Sequence, residues 1–166
     1  MPATYEPIAT QTLASAAASI TFSSIAATYT DLRLVLVANG TSVDNRSVRY
    51  TFNADTATNY SRTRLSGDGA TASSDNATSQ ANIAPFTSLT SLTIPTFYAI
   101  DVFSYAGSTY KTVLASGNVD KNGSGGVNSA VGLWRSTAAI TSIEITLNSG
   151  NFNIGTTATL YGIKAA

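Results

Sequence analysis

The chain contains no cysteine and no histidine, and only one methionine, one tryptophan and four prolines among its 166 residues. Without cysteine there is no disulfide framework and no thiolate nucleophile. Without histidine the commonest general base and the commonest transition-metal ligand are both missing. Charge is scarce as well. Lysine plus arginine number nine, aspartate plus glutamate number nine, and charged residues make up 11% of the chain, against roughly 25% in ordinary domains. A neutral chain lacks the basic face that nucleic-acid binding usually requires, so nucleic acid is not an expected partner. No apolar run approaches the ~20 residues of a membrane-spanning helix. The opening residues, MPATYEPIATQ, have neither a basic n-region nor an apolar h-region, so synthesis in a cytoplasm with no export route of its own is the expectation.

What fills the chain instead is serine, threonine, asparagine and alanine beside 43% hydrophobic residues. That composition is globular, and the length suits one domain over residues 1–166 with a sizeable core. Hydroxyls and amides desolvate more cheaply than ions. A surface built from them also lacks the charge repulsion that keeps monomers apart. Both properties favour packing against partners.

The dominant hydrophobic period is two. SVRYTFN sets Val48, Tyr50 and Phe52 against Arg49, Thr51 and Asn53. TSIEITLN sets Ile143, Ile145 and Leu147 against Glu144 and Thr146. These are half-buried antiparallel strands. SITF ends a short strand at Phe22, DLRLVLVA and FYAIDVFSY read as central strands, and YKTVLAS, AVGLWRS and TATLYGIK add more. Turn signals separate them: Asn39-Gly40, Gly67-Asp68-Gly69, Ala106-Gly107-Ser108, DKNGSGG and NSGN. The pattern predicts an all-β fold, an antiparallel, jelly-roll-like β-sandwich of roughly eight to ten strands. An extended N-terminal segment precedes it. TLASAAASI is too short for a stable helix and reads as a connection with room for one helical turn. SGDGATASSDNATSQANIAP is the longest stretch poor in large apolar residues. It reads as a surface loop, or an arm near residues 66–85 that docks on a neighbour.

Few residues could carry chemistry. Glu6 and Glu144 are the only glutamates, and Glu144 lies on the outward face of its strand. Asp55, Asp68, Asp75 and Asp120 fall in turn-like segments, where aspartate usually bonds its own backbone. No pair of carboxylates faces a predicted cleft, so no catalytic residue is assigned. Ser108-Thr109-Tyr110-Lys111 matches S-x-x-K, but the lysine opens a strand rather than standing one helical turn from the serine. Asp120, Asn122 and Ser124 begin like a calcium loop, yet the twelfth position is Val131. The bidentate glutamate of an EF-hand is therefore missing. No cofactor or metal is assigned. The sequon Asn45-Arg46-Ser47 means little without a secretory route. Arg46, Arg49, Arg62 and Arg64 read as a solvated strand face. Trp134 and Arg135 could form a sugar-stacking platform with a guanidinium donor. The favoured reading is that Trp134 closes the core or a subunit interface, with Arg135 at its edge. Tyr98 and Tyr105 are further candidate stacking residues.

Three stretches resemble one known family. TYEPIATQTLASAAASITFSSIAATYTDLRLVLV follows the pattern Y-x-P-I-A, S-I-T-F-S-S-I, T-Y-T-D-L. RYTFNADTATNYSRTRLSGDGATASS follows F-N-x-D-x-x-x-N-Y-S. LWRSTAAITSIEITLNSGNFNIGTTATLYGIKAA ends in L-Y-G-I-K. Together they resemble small virion structural proteins of tailed bacteriophages over nearly the whole chain. The resemblance implies a non-enzymatic virion component made in the host cytoplasm. A capsid decoration, or cement, protein that holds head subunits together is the first expectation, because the chain has no shaft repeat. A tail or tail-fibre component is the second. It also implies self-association, with a trimer favoured. The rival of another class is a carbohydrate-binding module for a host surface glycan. Capsid or tail proteins, further copies of the chain, and such a glycan are thus the expected partners.

Overall fold

A computed structural model of the chain describes residues 4–40, 46–86 and 93–164. Asn45 of the sequon lies outside them. The described residues form eleven strands and no helix. In chain order these are β1 (Tyr5–Thr12), β2 (Ser19–Phe22), β3 (Asp31–Ala38), β4 (Val48–Phe52), β5 (Tyr60–Gly67) and β6 (Ala72–Gln80). They continue with β7 (Thr96–Val102), β8 (Lys111–Asp120), β9 (Gly125–Trp134), β10 (Ile143–Leu147) and β11 (Thr157–Ile163). The expected sandwich takes an unequal form. An eight-stranded sheet has the order β1-β11-β3-β7-β8-β9-β5-β6, and a three-stranded sheet has the order β2-β10-β4. All nine pairings between these strands are antiparallel.

Period-two patterning explains how the sheets meet. On β4 the buried residues are Val48, Tyr50 and Phe52, and on β10 they are Ile143, Ile145 and Leu147. With Ile20 and Phe22 of β2 they form the inner face of the small sheet. They pack in one apolar cluster with Leu32, Leu34 and Leu36 of β3 and with Tyr98, Ile100 and Val102 of β7. The chain crosses repeatedly between layers, since β2, β4 and β10 belong to one sheet and their sequence neighbours to the other. A one-residue slip in any of these strands would turn its apolar set outward, so burial fixes the register.

Three strands cannot cover eight. The segment after β6 fills part of the gap. Ile83 and Phe86 are fully buried, and Ile83 exchanges backbone hydrogen bonds with Tyr50, N–H to O at 2.9 and 3.0 Å. Gly117 and Gly132 make room beneath them. A Cβ on Gly117 would stand 2.7 Å from the Phe86 ring, and one on Gly132 would stand 3.0 Å from Ile83.

Two expectations are corrected here. Residues 66–85 are neither loop nor free arm. Ala72–Gln80 is a strand paired along β5, and Ile83 belongs to the core. Backbone pairing overrides the weak β-propensity of Ala, Ser, Asp and Asn, and that pairing is invisible to period-two reading because both faces of β6 are polar. Adding β5, β6 and the N-terminal strand β1 to the eight segments named from the sequence gives eleven. TLASAAASI forms no helical turn; it carries an isolated bridge from Ala17 to Phe152 and leads into β2.

Candidate functional site

The polar residues of the sequence motifs turn inward onto the chain itself. In the connection between β4 and β5, Asp55 Oδ2 accepts hydrogen bonds from Trp134 Nε1 at 2.7 Å and Asn59 Nδ2 at 2.9 Å. Asp55 Oδ1 accepts from the Ala57 N–H at 2.9 Å. The Asn59 amide, followed by Trp134 and Ala57, holds the Asp55 carboxyl below its ordinary pKa against the opposing effect of burial. The Tyr60 hydroxyl donates to the Asp55 carbonyl at 3.0 Å and accepts from the Phe52 N–H at 3.0 Å. Burial pushes that hydroxyl up to about 12. Asn53 Oδ1 accepts from the N–H groups of Thr141 and Ser142, and its Nδ2 donates to the Ala139 carbonyl at 2.7 Å. Rings of Phe52, Tyr60 and Trp134 pack around this knot.

A second knot joins the start and end of the chain. The Tyr29 ring lies against the backbone of Gly162, where a Cβ would overlap it. The Lys164 amino group sits 5.5 Å from the same ring and donates to Glu6 at 2.9 Å. The Tyr105 hydroxyl donates to the Ala26 carbonyl and accepts from the Tyr29 N–H at 3.3 Å. Asp31 Oδ1 accepts from the Ser104 N–H at 2.7 Å.

These contacts correct the stacking-platform reading. Trp134, Tyr98 and Tyr105 are at most 2% exposed, so none presents a ring face to a sugar. Trp134 closes the core at the end of β9, and Arg135 lies at its edge, donating to the Thr58 carbonyl at 2.5 Å. Alternation could not separate these outcomes because Trp134 breaks the Val131, Leu133 phase. Several other sequence candidates are also engaged locally. Arg62 and Arg64 both bind Asp75, at 2.7 and 2.5 Å. Lys111 is fully buried and donates to the carbonyls of Gly107 and Thr109. Burial alone lowers its pKa. Asp120 and Asp68 accept backbone N–H groups of their own turns. Among the described residues no three metal-ligating side chains cluster.

Exposed apolar side chains gather on the outer face of the large sheet. Sequence reading missed it because it treated each strand separately. Cross-strand register assembles its rows. Thr63, Val131, Leu114, Asp101, Arg33 and Tyr161 lie side by side from β5 to β11. The next row on this face holds Leu65, Ser129, Ser116, Ala99 and Val35, and the row beyond it holds Val127, Asn118, Phe97 and Val37. Leu65, Val127 and Leu114 are 60%, 63% and 47% exposed, and Phe97, Val37 and Val131 are comparably open. Ser129, Ser116 and Thr159 lie among them, beside Ala99 and Val35. In these rows the charges are Arg33 and Asp101, which face each other at 3.5 Å. Burial raises the Asp101 pKa while Arg33 opposes it. A solvated antiparallel face is ordinarily polar. Contiguous exposed apolar side chains within a hydroxyl-rich field mark a surface suited to packing.

No family model, no curated protein and no solved structure matches this chain.

Proposed function

We propose that the chain is a non-enzymatic structural protein of a tailed-bacteriophage virion, and within the virion a capsid decoration protein that stabilises the head through subunit contacts. The observation that carries this reading is the outer face of the eight-stranded sheet, apolar and hydroxyl-rich, with its Arg33–Asp101 charges mutually neutralised. Seven interstrand spacings of about 4.8 Å and about 20 Å of strand give that face roughly 700 Å². A stable interface needs about 800 Å² per partner. The sequence resemblance supports the same class. A tail or tail-fibre location would use the face in the same way and is the second reading. The glycan-binding alternative has lost its proposed stacking side chains to the core.

The test is imaging of purified virions carrying a tagged copy of the chain, followed by washing in about 1 M salt, where exposed ion pairs are screened. Label on the head that survives the wash supports the reading. Label on the tail moves the assignment to the second reading, and absence from the virion rejects both.

A further inference from the structure

The two outer edges of the eight-stranded sheet are built differently. At one edge, β1 carries Pro7, which has no N–H to offer, and a register shift between Pro7 and Ala9. Both features blunt an edge against further pairing. At the other edge, β6 has neither proline nor lysine. Its backbone runs in unbroken register with β5 from Ala72 to Ala77, and the left-handed Ser79 comes only at its far end. Its side chains are small and almost all exposed. Its one charge, Asp75, is bound by Arg62 and Arg64 of its own chain. Among the described residues no strand pairs with the far side of β6, so a row of backbone donors and acceptors about 23 Å long, from Ala72 to Thr78, is open along it.

We propose that this edge is a pairing site for the same edge of a second copy, β6 against β6 and antiparallel. The incoming strand must be extended, narrow on both faces and without uncompensated charge, and β6 itself meets each condition. The chain's zero formal charge removes net repulsion between copies. A two-fold axis normal to the sheet makes the contact self-complementary. It keeps the outer faces of both copies on one side and joins the sheets into one of sixteen strands. Like charges opposite each other are unfavourable. Registers centred on Ser74 or Asn76 avoid placing the two Asp75 side chains directly opposite each other. The contact produces two-fold assemblies rather than the trimer the resemblance favours, and it requires nothing of the virion assignment.

The absence of cysteine makes a direct test clean. Single substitutions Ser74→Cys, Asn76→Cys and, as a control on β1, Thr10→Cys each introduce the sole thiol. Under mild oxidation, one of the two β6 variants should form a disulfide-linked dimer, and Thr10→Cys should not. Independently, sedimentation of the unmodified chain across a concentration series should show a monomer–dimer equilibrium. The double substitution S74K/N76K, on exposed positions, should weaken that equilibrium at least tenfold while the circular dichroism spectrum and melting curve stay unchanged. A chain that stays monomeric overturns the proposal. So does a dimer untouched by S74K/N76K, or cross-linking as efficient at Thr10 as on β6.

Discussion

Trp134 Nε1 donates to Asp55 Oδ2 at 2.7 Å, a hydrogen bond spanning 79 residues of sequence. It ties the end of β9 to the β4–β5 connection beneath three packed rings. Removing the carboxylate strands the indole N–H, the Asn59 amide and the Ala57 N–H together. Asp55→Ala should therefore cost about 1–3 kcal/mol in urea unfolding. Because Trp134 is the sole tryptophan, its fluorescence should report the change directly. A variant with unaltered stability and emission would contradict the structural role.

The same connection contains a residue in an unfavourable conformation. Asn53 and Ala54 both have φ of +54°, inside a turn closed by the Asp55 N–H to the Phe52 carbonyl at 2.9 Å. Asparagine tolerates the left-handed region, but alanine does not. Ala54 is exposed, so glycine loses no packing there. Ala54→Gly should stabilise the fold by about 0.5–1.5 kcal/mol. Thermal melting would show this as a rise of a few degrees, about 2–4 °C per kcal/mol.

Stability should fall on acidification. Asp55 is held low by Asn59, Trp134 and Ala57. Asp75 is also lowered: burial raises it, but Arg62 and Arg64 outweigh that effect. A carboxyl with a lowered folded pKa contributes fully above its unfolded value near ~3.9, and the contribution disappears as pH falls through the folded value. Asp101, raised by burial, works in the opposite sense and offsets part of the loss. The unfolding free energy should therefore decline below about pH 4. Asp55→Asn should make that decline shallower. A pH profile identical to that of the unmodified chain would argue against linkage through Asp55.

Gly117 is a packing position rather than a turn position. A Cβ there would stand 2.7 Å from the Phe86 ring and 2.9 Å from the Tyr98 ring, and both rings are fully buried. Gly117→Ala should cost about 1–3 kcal/mol by overpacking. Coupling it with Phe86→Leu should recover part of that loss in a double-mutant cycle.

The outer sheet face separates folding from attachment. Leu114 is 47% exposed and its neighbour Val131 is 42% exposed. Leu114→Glu should change unfolding free energy by no more than about 0.5 kcal/mol. If that face packs on a virion partner, the same substitution should lower incorporation into particles several-fold. Normal incorporation would remove the face from the contact.

Alternation along single strands determined much of this protein without any structure. Val48, Tyr50 and Phe52, and Ile143, Ile145 and Leu147, are buried as their period predicts, because each strand separates one dry face from one wet face. The all-β class, the central places of β3 and β7, and the turns between strands followed from the same local physics. Strand β6 did not, because polar residues on both faces leave no periodic signal and its extended state depends on backbone bonds to β5. Trp134 lies in the core, its favoured place from the sequence, while Tyr98 and Tyr105, offered as stacking residues, were put inside only by the packing of two sheets. The outer face was equally hidden. Leu65, Val131, Leu114 and Phe97 stand far apart in sequence, and antiparallel register alone brings them together on one surface.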